Sequence, residues 1–175
     1  MKYYKYQDDD GPLGAAMTYV EVDNGRAWRQ ITVNAIGSQA SNAKYPQWGM
    51  TLIDQLVDYD SIEEVTPIDK SEFDRIWNEH LASRAVEWNE TKSTYLIGKA
   101  ISGYLEVFYP QGVIVDLGDD ALGVADHQKC RESTRPEFMY PGHEVTAVVS
   151  GYDKANQWIM LDMPHVHEEQ KRRTT

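Results

Sequence analysis

A single cysteine, Cys130, stands among the 175 residues, so no internal disulfide can staple the chain and its core must come from packing. That usage fits a reducing compartment, and the expected location is cytoplasmic. Long apolar runs are also missing. The start, Met1-Lys2-Tyr3-Tyr4-Lys5-Tyr6 followed by Asp8-Asp9-Asp10, offers no apolar stretch of ~7–15 residues for a signal-peptide core. No other run approaches the ~20 residues of a membrane-spanning helix. A soluble chain with no membrane partner is expected. Basic residues are scarce: 17 Lys and Arg face 28 Asp and Glu, a net charge of −11. No segment is basic enough by composition to form a phosphate-binding patch, the usual source of nucleic-acid affinity.

A patterned catalytic set is lacking as well. Carboxylates are many, but none is placed to separate an acid from a base, and Asp119-Asp120 reads as a solvated turn after Gly118. No catalytic residue is assigned, and the chain is read as non-enzymatic. His127 and Cys130 have the spacing of metal ligands, with His143, His165 and His167 further on. A structural zinc site needs paired clusters, and a polar helical turn accounts for the same residues. No metal or other cofactor is expected.

What is present organises the chain in three stretches. Thr18–Asp23 and Arg26–Val33 alternate bulky apolar with polar residues on either side of Asn24-Gly25. That dipeptide supplies the two positive-φ positions of a type I′ turn, so a hairpin is expected. Tyr4 and Tyr6 suggest a further strand, because an isolated hairpin is marginal. Residues 34–60, with Gly37, Pro46 and Gly49, read as loop with at most one short strand.

The second stretch is expected to be one helix over residues 70–89. Phe73, Ile76, Trp77, Leu81, Ala85 and Trp88 recur at spacings of three and four and build one apolar stripe. Asp69 with Glu72 has capping-box spacing, Ile68 with Phe73 that of a hydrophobic staple, and Pro67 blocks an earlier start. A tryptophan stripe at this spacing reads as core packed on the N-terminal sheet.

The third stretch holds five candidate strands: Gly98–Val107, Gly112–Gly118, Leu122–Ala125, one opened by Pro141-Gly142 and running to Tyr152, and Trp158–Leu161. Close strand starts with glycines at the bends suit a small barrel. The order of Ile101 and Gly103, then Gly112 to Leu117, then Gly123 and Val124, then Gly142 to Val145, resembles the ribosomal S-one RNA-binding domain. The likeness covers about 65 residues, and it implies an oligonucleotide-binding (OB) fold. The expected architecture is therefore an α+β module of antiparallel strands with one amphipathic helix (1–94), a five-stranded OB barrel (95–163) and a mobile polar tail (164–175).

By that resemblance the barrel would bind single-stranded RNA, weakly, across its second and third strands and the adjoining loops. Tyr104 on the first strand, with Phe108 and Tyr109 in the loop after it, would stack bases. Lys99, Lys129, Arg131 and Arg135 are the cations nearest that groove. The family's own base-stacking and histidine positions are here Gln111, Ile114 and Asp126. A second reading therefore stands beside the first: a protein-interaction or regulatory module that has kept the barrel and lost the RNA face.

Overall fold

Asn24 and Gly25 both take positive φ, 49° and 78°, and the tight turn they form joins two strands of a mixed-length antiparallel sheet. A computed structural model describes residues 1–171 of the chain. In chain order the first strands are β1 (Lys2–Asp8), β2 (Ala16–Asp23), β3 (Arg26–Val33), β4 (Ser38–Ala40) and β5 (Thr66–Pro67), and their order in the sheet is β4-β3-β2-β1-β5. Two helices follow, α1 (Lys70–Ser83) and α2 (Ala85–Thr94). The chain divides into two units at this point, Met1–Arg84 and Ala85–Thr175.

Both faces of the sheet are covered. On one, Tyr3, Ile31 and Ala40 pack with Phe73 and Trp77 of α1, and Ile68 joins them as the staple spacing requires. On the other, Tyr4, Val20, Val22 and Ala27 pack under Tyr59, with Leu52, Ile53 and Val57 from the long segment after β4. Successive strand residues point to opposite faces, so Tyr3 and Tyr4, neighbours in the chain, serve two different cores. Full burial of Phe73 and Trp77, at 0% and 1% exposure, is worth roughly 2–3 kcal/mol each. Asp69 does sit at the head of α1, but it caps through its backbone carbonyl, which accepts from Glu72 and Phe73; its side chain makes no capping bond.

The single helix expected over 70–89 is two. The first ends at Arg84, whose N–H reaches back to the Leu81 carbonyl, and the second begins at the next residue. Trp77 belongs to the sheet core, whereas Trp88 belongs to the core of the second unit. One continuous stripe cannot serve two cores.

The second unit continues with β6 (Ala100–Tyr109), β7 (Gly112–Gly118), β8 (Ala121–Ala125), α3 (His127–Glu132), β9 (His143–Asp153) and β10 (Trp158–Lys171). The strands close into a barrel in the order β10-β8-β7-β6-β9. Every neighbouring pair is antiparallel except β8 with β10. This closed five-stranded barrel, with a helix between its third and fourth strands, is compatible with an OB-like fold. Leu105, Val113, Val115, Val145, Val149 and Ile159 fill it. Closure needs Gly103: a Cβ there would lie 2.5 Å from the Asp116 carbonyl oxygen and 2.8 Å from Val115 Cγ1. From α2, Trp88 enters this core edge-on to Tyr152, whose hydroxyl donates to the Tyr95 carbonyl at 3.0 Å.

Two expectations are corrected here. Phe108 and Tyr109 do not lie in a loop: β6 runs through both to pair with Val113 and Gly112, past a bulge between Leu105 and Val107. Residues 164–171 are not a mobile tail either, because β10 continues through them alongside β9, with Val166 fully buried between His165 and His167. The rest of that expected tail lies outside the described residues. Among the described residues no helix is long and apolar enough to cross a membrane.

Candidate binding face of the barrel

Alternation along β7 sends Val113 and Val115 into the barrel and turns Ile114 and Asp116 the other way, where both are still buried, at 0% and 8% exposure. Register then fixes what surrounds them. Ile114 pairs with Val107 on β6 and Val124 on β8, while Asp116 pairs with Tyr104 and Leu122. Tyr104 also pairs with Glu144 of β9 on its other side. The side that an RNA-binding barrel would use is therefore aliphatic along its middle and closed to solvent at Ile114. Among these paired residues Tyr104 is the exposed aromatic, at 36%, and it stands in a row between Glu144 and the buried Asp116. Asp116 is fixed there by the N–H of Gly118, which its Oδ1 accepts at 2.9 Å.

The other two aromatics of the expected set are already used. Tyr109 is 5% exposed and lies against Trp158, with ring centroids 6.3 Å apart. Phe108 is half-buried and stacks on His127 at 6.0 Å. His127 Nε2 donates to the Tyr109 carbonyl at 2.8 Å, so this histidine fastens α3 to the end of β6. At the start of α3, Asp126 is a capping carboxylate that accepts from Lys129 N–H at 2.9 Å.

The cations do not gather. Lys129 is held by Asp162 at 2.7 Å, a contact that raises the lysine above its ordinary pKa and lowers the aspartate below its own. Lys99 donates to the Thr94 carbonyl at 3.0 Å and lies over the Tyr95 ring. Arg135 stands 4.0 Å from Glu168. Arg131 is exposed on α3. Sequence order placed all four near one groove, but the fold distributes them over the loop before β6, α3 and the turn after it.

The histidines and the cysteine do not form a metal centre. Cys130 is fully buried in the barrel core, where burial pushes its thiol up to about 11. His143 Nδ1 donates to the His167 carbonyl, and His167 Nε2 meets Thr146 Oγ1 at 3.0 Å. Among the described residues no group of three His, Cys, Asp or Glu could hold an ion.

One polar constellation escaped sequence reasoning. In the first unit His80 Nε2 donates to Asn42 Oδ1 at 3.1 Å, which leaves Nδ1 to accept from the Ser38 hydroxyl at 2.8 Å. These are the residue types of a nucleophile relay. However, His80 and Asn42 are 6% and 2% exposed, and the hydrogen bonds tie the last turn of α1 to β4 and the segment after it. Nothing in the local sequence signals this contact, since its partners lie 42 and 38 residues apart.

No protein-family model matches the chain, and neither a curated protein nor a solved structure matches it at a significant level.

Proposed function

We propose that this chain is a non-catalytic protein-interaction module built on an OB-like barrel, acting in the cytoplasm, and that its barrel face engages a protein rather than single-stranded RNA. The observation that supports this most directly is the row Asp116, Tyr104, Glu144 across three adjacent strands. Stacking a base on Tyr104 would bring a phosphate backbone past the Glu144 carboxylate and close to the buried Asp116. Base stacking is worth ~1–3 kcal/mol, and Tyr104 offers a single platform. An exposed aromatic beside carboxylates suits a protein surface with apolar and basic groups, for which tyrosine is a favoured anchor.

RNA binding, which the likeness to the ribosomal S-one domain implies, is the reading to be tested against it. Fluorescently labelled single-stranded RNA should give no anisotropy change with the full chain at low salt, even at high micromolar protein. A salt-dependent rise that Tyr104→Ala abolishes would overturn the proposal. Tyr104 suits the test because its side chain is the exposed one. Truncating Tyr109 would damage the barrel instead.

A further inference from the structure

Of the chain's asparagines only Asn24 is followed by a glycine, Gly25, and these two residues are the whole loop between Asp23 and Arg26, which pair across β2 and β3. An asparagine before glycine carries a reaction within itself. The glycine amide nitrogen can attack the side-chain carbonyl carbon, Cγ, because no Cβ on the glycine blocks the approach. A bond forms from that nitrogen to Cγ, the Cγ–Nδ2 bond breaks, and ammonia leaves with the amide proton. The product is a five-membered succinimide, which water opens at either carbonyl. Opening at Cγ leaves aspartate. Opening at the main-chain carbonyl leaves isoaspartate, whose backbone runs through the former side chain and is longer by a methylene.

Ring closure has a strict geometry: Cβ of Asn24 and the nitrogen of Gly25 must lie on the same side of the Asn24 Cα–C bond. The turn holds them on opposite sides. Both residues take positive φ, 49° and 78°, in a two-residue loop, which is the type I′ conformation with ψ of about +30° at its first position. At that ψ the next nitrogen of an L-residue points away from Cβ, so the Asn24 carboxamide, although exposed, is out of its reach. Closing the ring needs a large rotation about Cα–C, which displaces Gly25 and unpairs Asp23 from Arg26. Two further contacts oppose that rotation. The Gly25 carbonyl accepts from Val57 N–H at 2.9 Å, and Leu56 bridges to Arg26. The same segment presses on the turn, since a Cβ on Gly25 would lie 3.1 Å from the Val57 carbonyl oxygen.

We propose that Asn24 is a deamidation site which the folded hairpin closes and which only the parting of β2 from β3 exposes. The change does not reverse. Isoaspartate lengthens a loop built for two residues, and either product sets a new carboxylate beside Asp23. The conversion therefore records how long the hairpin has stood open, with Val57 as the guard of the turn. It concerns the first unit alone and is independent of what the barrel face binds.

The test incubates the full chain in mildly alkaline buffer, folded in one arm and in concentrated urea in the other. Mass spectrometry of the peptide containing Asn24 follows the gain of mass as amide becomes acid and separates aspartate from isoaspartate. Conversion is expected at least about tenfold faster in urea, because in the folded chain it waits on local opening. In urea Asn24 should also outrun the other asparagines. Val57→Pro deletes the N–H that holds Gly25 and should speed conversion in the folded arm while leaving the urea rate unchanged. Equal rates in the two wild-type arms, or no conversion at Asn24 in urea, would overturn the proposal. So would a Val57→Pro chain that keeps a folded amide spectrum and converts no faster than wild type. If that variant fails to fold, the two wild-type arms decide alone.

Discussion

Replacing Arg29 with methionine should cost the first unit about 3–5 kcal/mol, the usual penalty for leaving one member of a buried ion pair alone. Arg29 stands directly opposite Glu21 across β2 and β3. Its Nε and Nη2 donate to the two carboxylate oxygens at 2.6 and 2.9 Å. The guanidinium centre lies 4.9 Å from the Phe73 ring and 5.1 Å from that of Trp77, so it sits under α1 and not in solvent. Side-chain exposure is 16% for Arg29 and 9% for Glu21. Burial alone would lower the arginine, but the bond to Glu21 with the nearby Asp74 carboxylate outweighs it and leaves the guanidinium raised. After Arg29→Met the Glu21 carboxylate keeps the Tyr3 hydroxyl at 3.2 Å as its remaining neutral donor. The double change Glu21→Leu with Arg29→Met removes both charges and should recover most of the loss, since apolar replacements of buried pairs are often near neutral. A melt of the whole chain mixes two units, so the readout is hydrogen exchange at the amides of β2 and β3 in wild type, both single variants and the double. If Arg29→Met costs less than about 1 kcal/mol, or the double loses the sum of the singles, the pair is solvated and the reasoning from its burial fails.

Two further outcomes follow from the barrel. Gly103→Ala should destabilise the second unit by about 1–3 kcal/mol, because the new methyl meets a backbone carbonyl and not a flexible side-chain end; a denaturation midpoint unchanged in amides of β6 and β7 would show that those strands part freely. Cys130 should resist a thiol reagent at pH 8 in the native chain and react once the barrel is unfolded, since it is closed off in the core and burial pushes its thiol up to about 11. Rapid labelling of native protein would place the thiol outside the core. As the folded thiol loses its proton later than the unfolded one, barrel stability should fall as pH rises from about 9 toward that value.

How much of this was legible depended on whether a signal was local. Asn24-Gly25 specifies its own turn geometry, so the hairpin is readable without any tertiary contact. Glycines and valines in sequence order carry the barrel for a similar reason: Gly103 marks a close approach of strands wherever it stands. Element ends were harder. The stripe from Phe73 to Trp88 runs unbroken through Arg84, with no glycine or proline to stop it, and the break exists because Trp77 and Trp88 are claimed by separate cores. At the end of β10, bulges between Asp162 and His165 and between Val166 and Lys171 disrupt the alternation that would have announced a strand. Only the buried Val166 between two histidines preserves it. The binding face depended on pairing over long separations. That Tyr104 would stand between Asp116 and Glu144, or that Lys129 would be spent on Asp162, is a matter of register, which one-dimensional proximity to a strand does not convey.

The two tyrosines at the head of β1 bear on how the sheet recognises its own alignment. Most half-exposed strands are kept in place because a one-residue slip would carry oil into water. Here a slip would put one aromatic ring where another had been, since Tyr3 and Tyr4 fill opposite cores and Tyr6 joins the second. A slip in either direction would also carry a lysine, Lys2 or Lys5, into a position that a tyrosine fills. The distinction falls to the strand's polar tips: the Tyr3 hydroxyl on Glu21, the Tyr4 hydroxyl on Asp60 and the Lys5 ammonium on Glu72. Each tip finds its mate only when the strand is seated correctly, as the teeth of a key do.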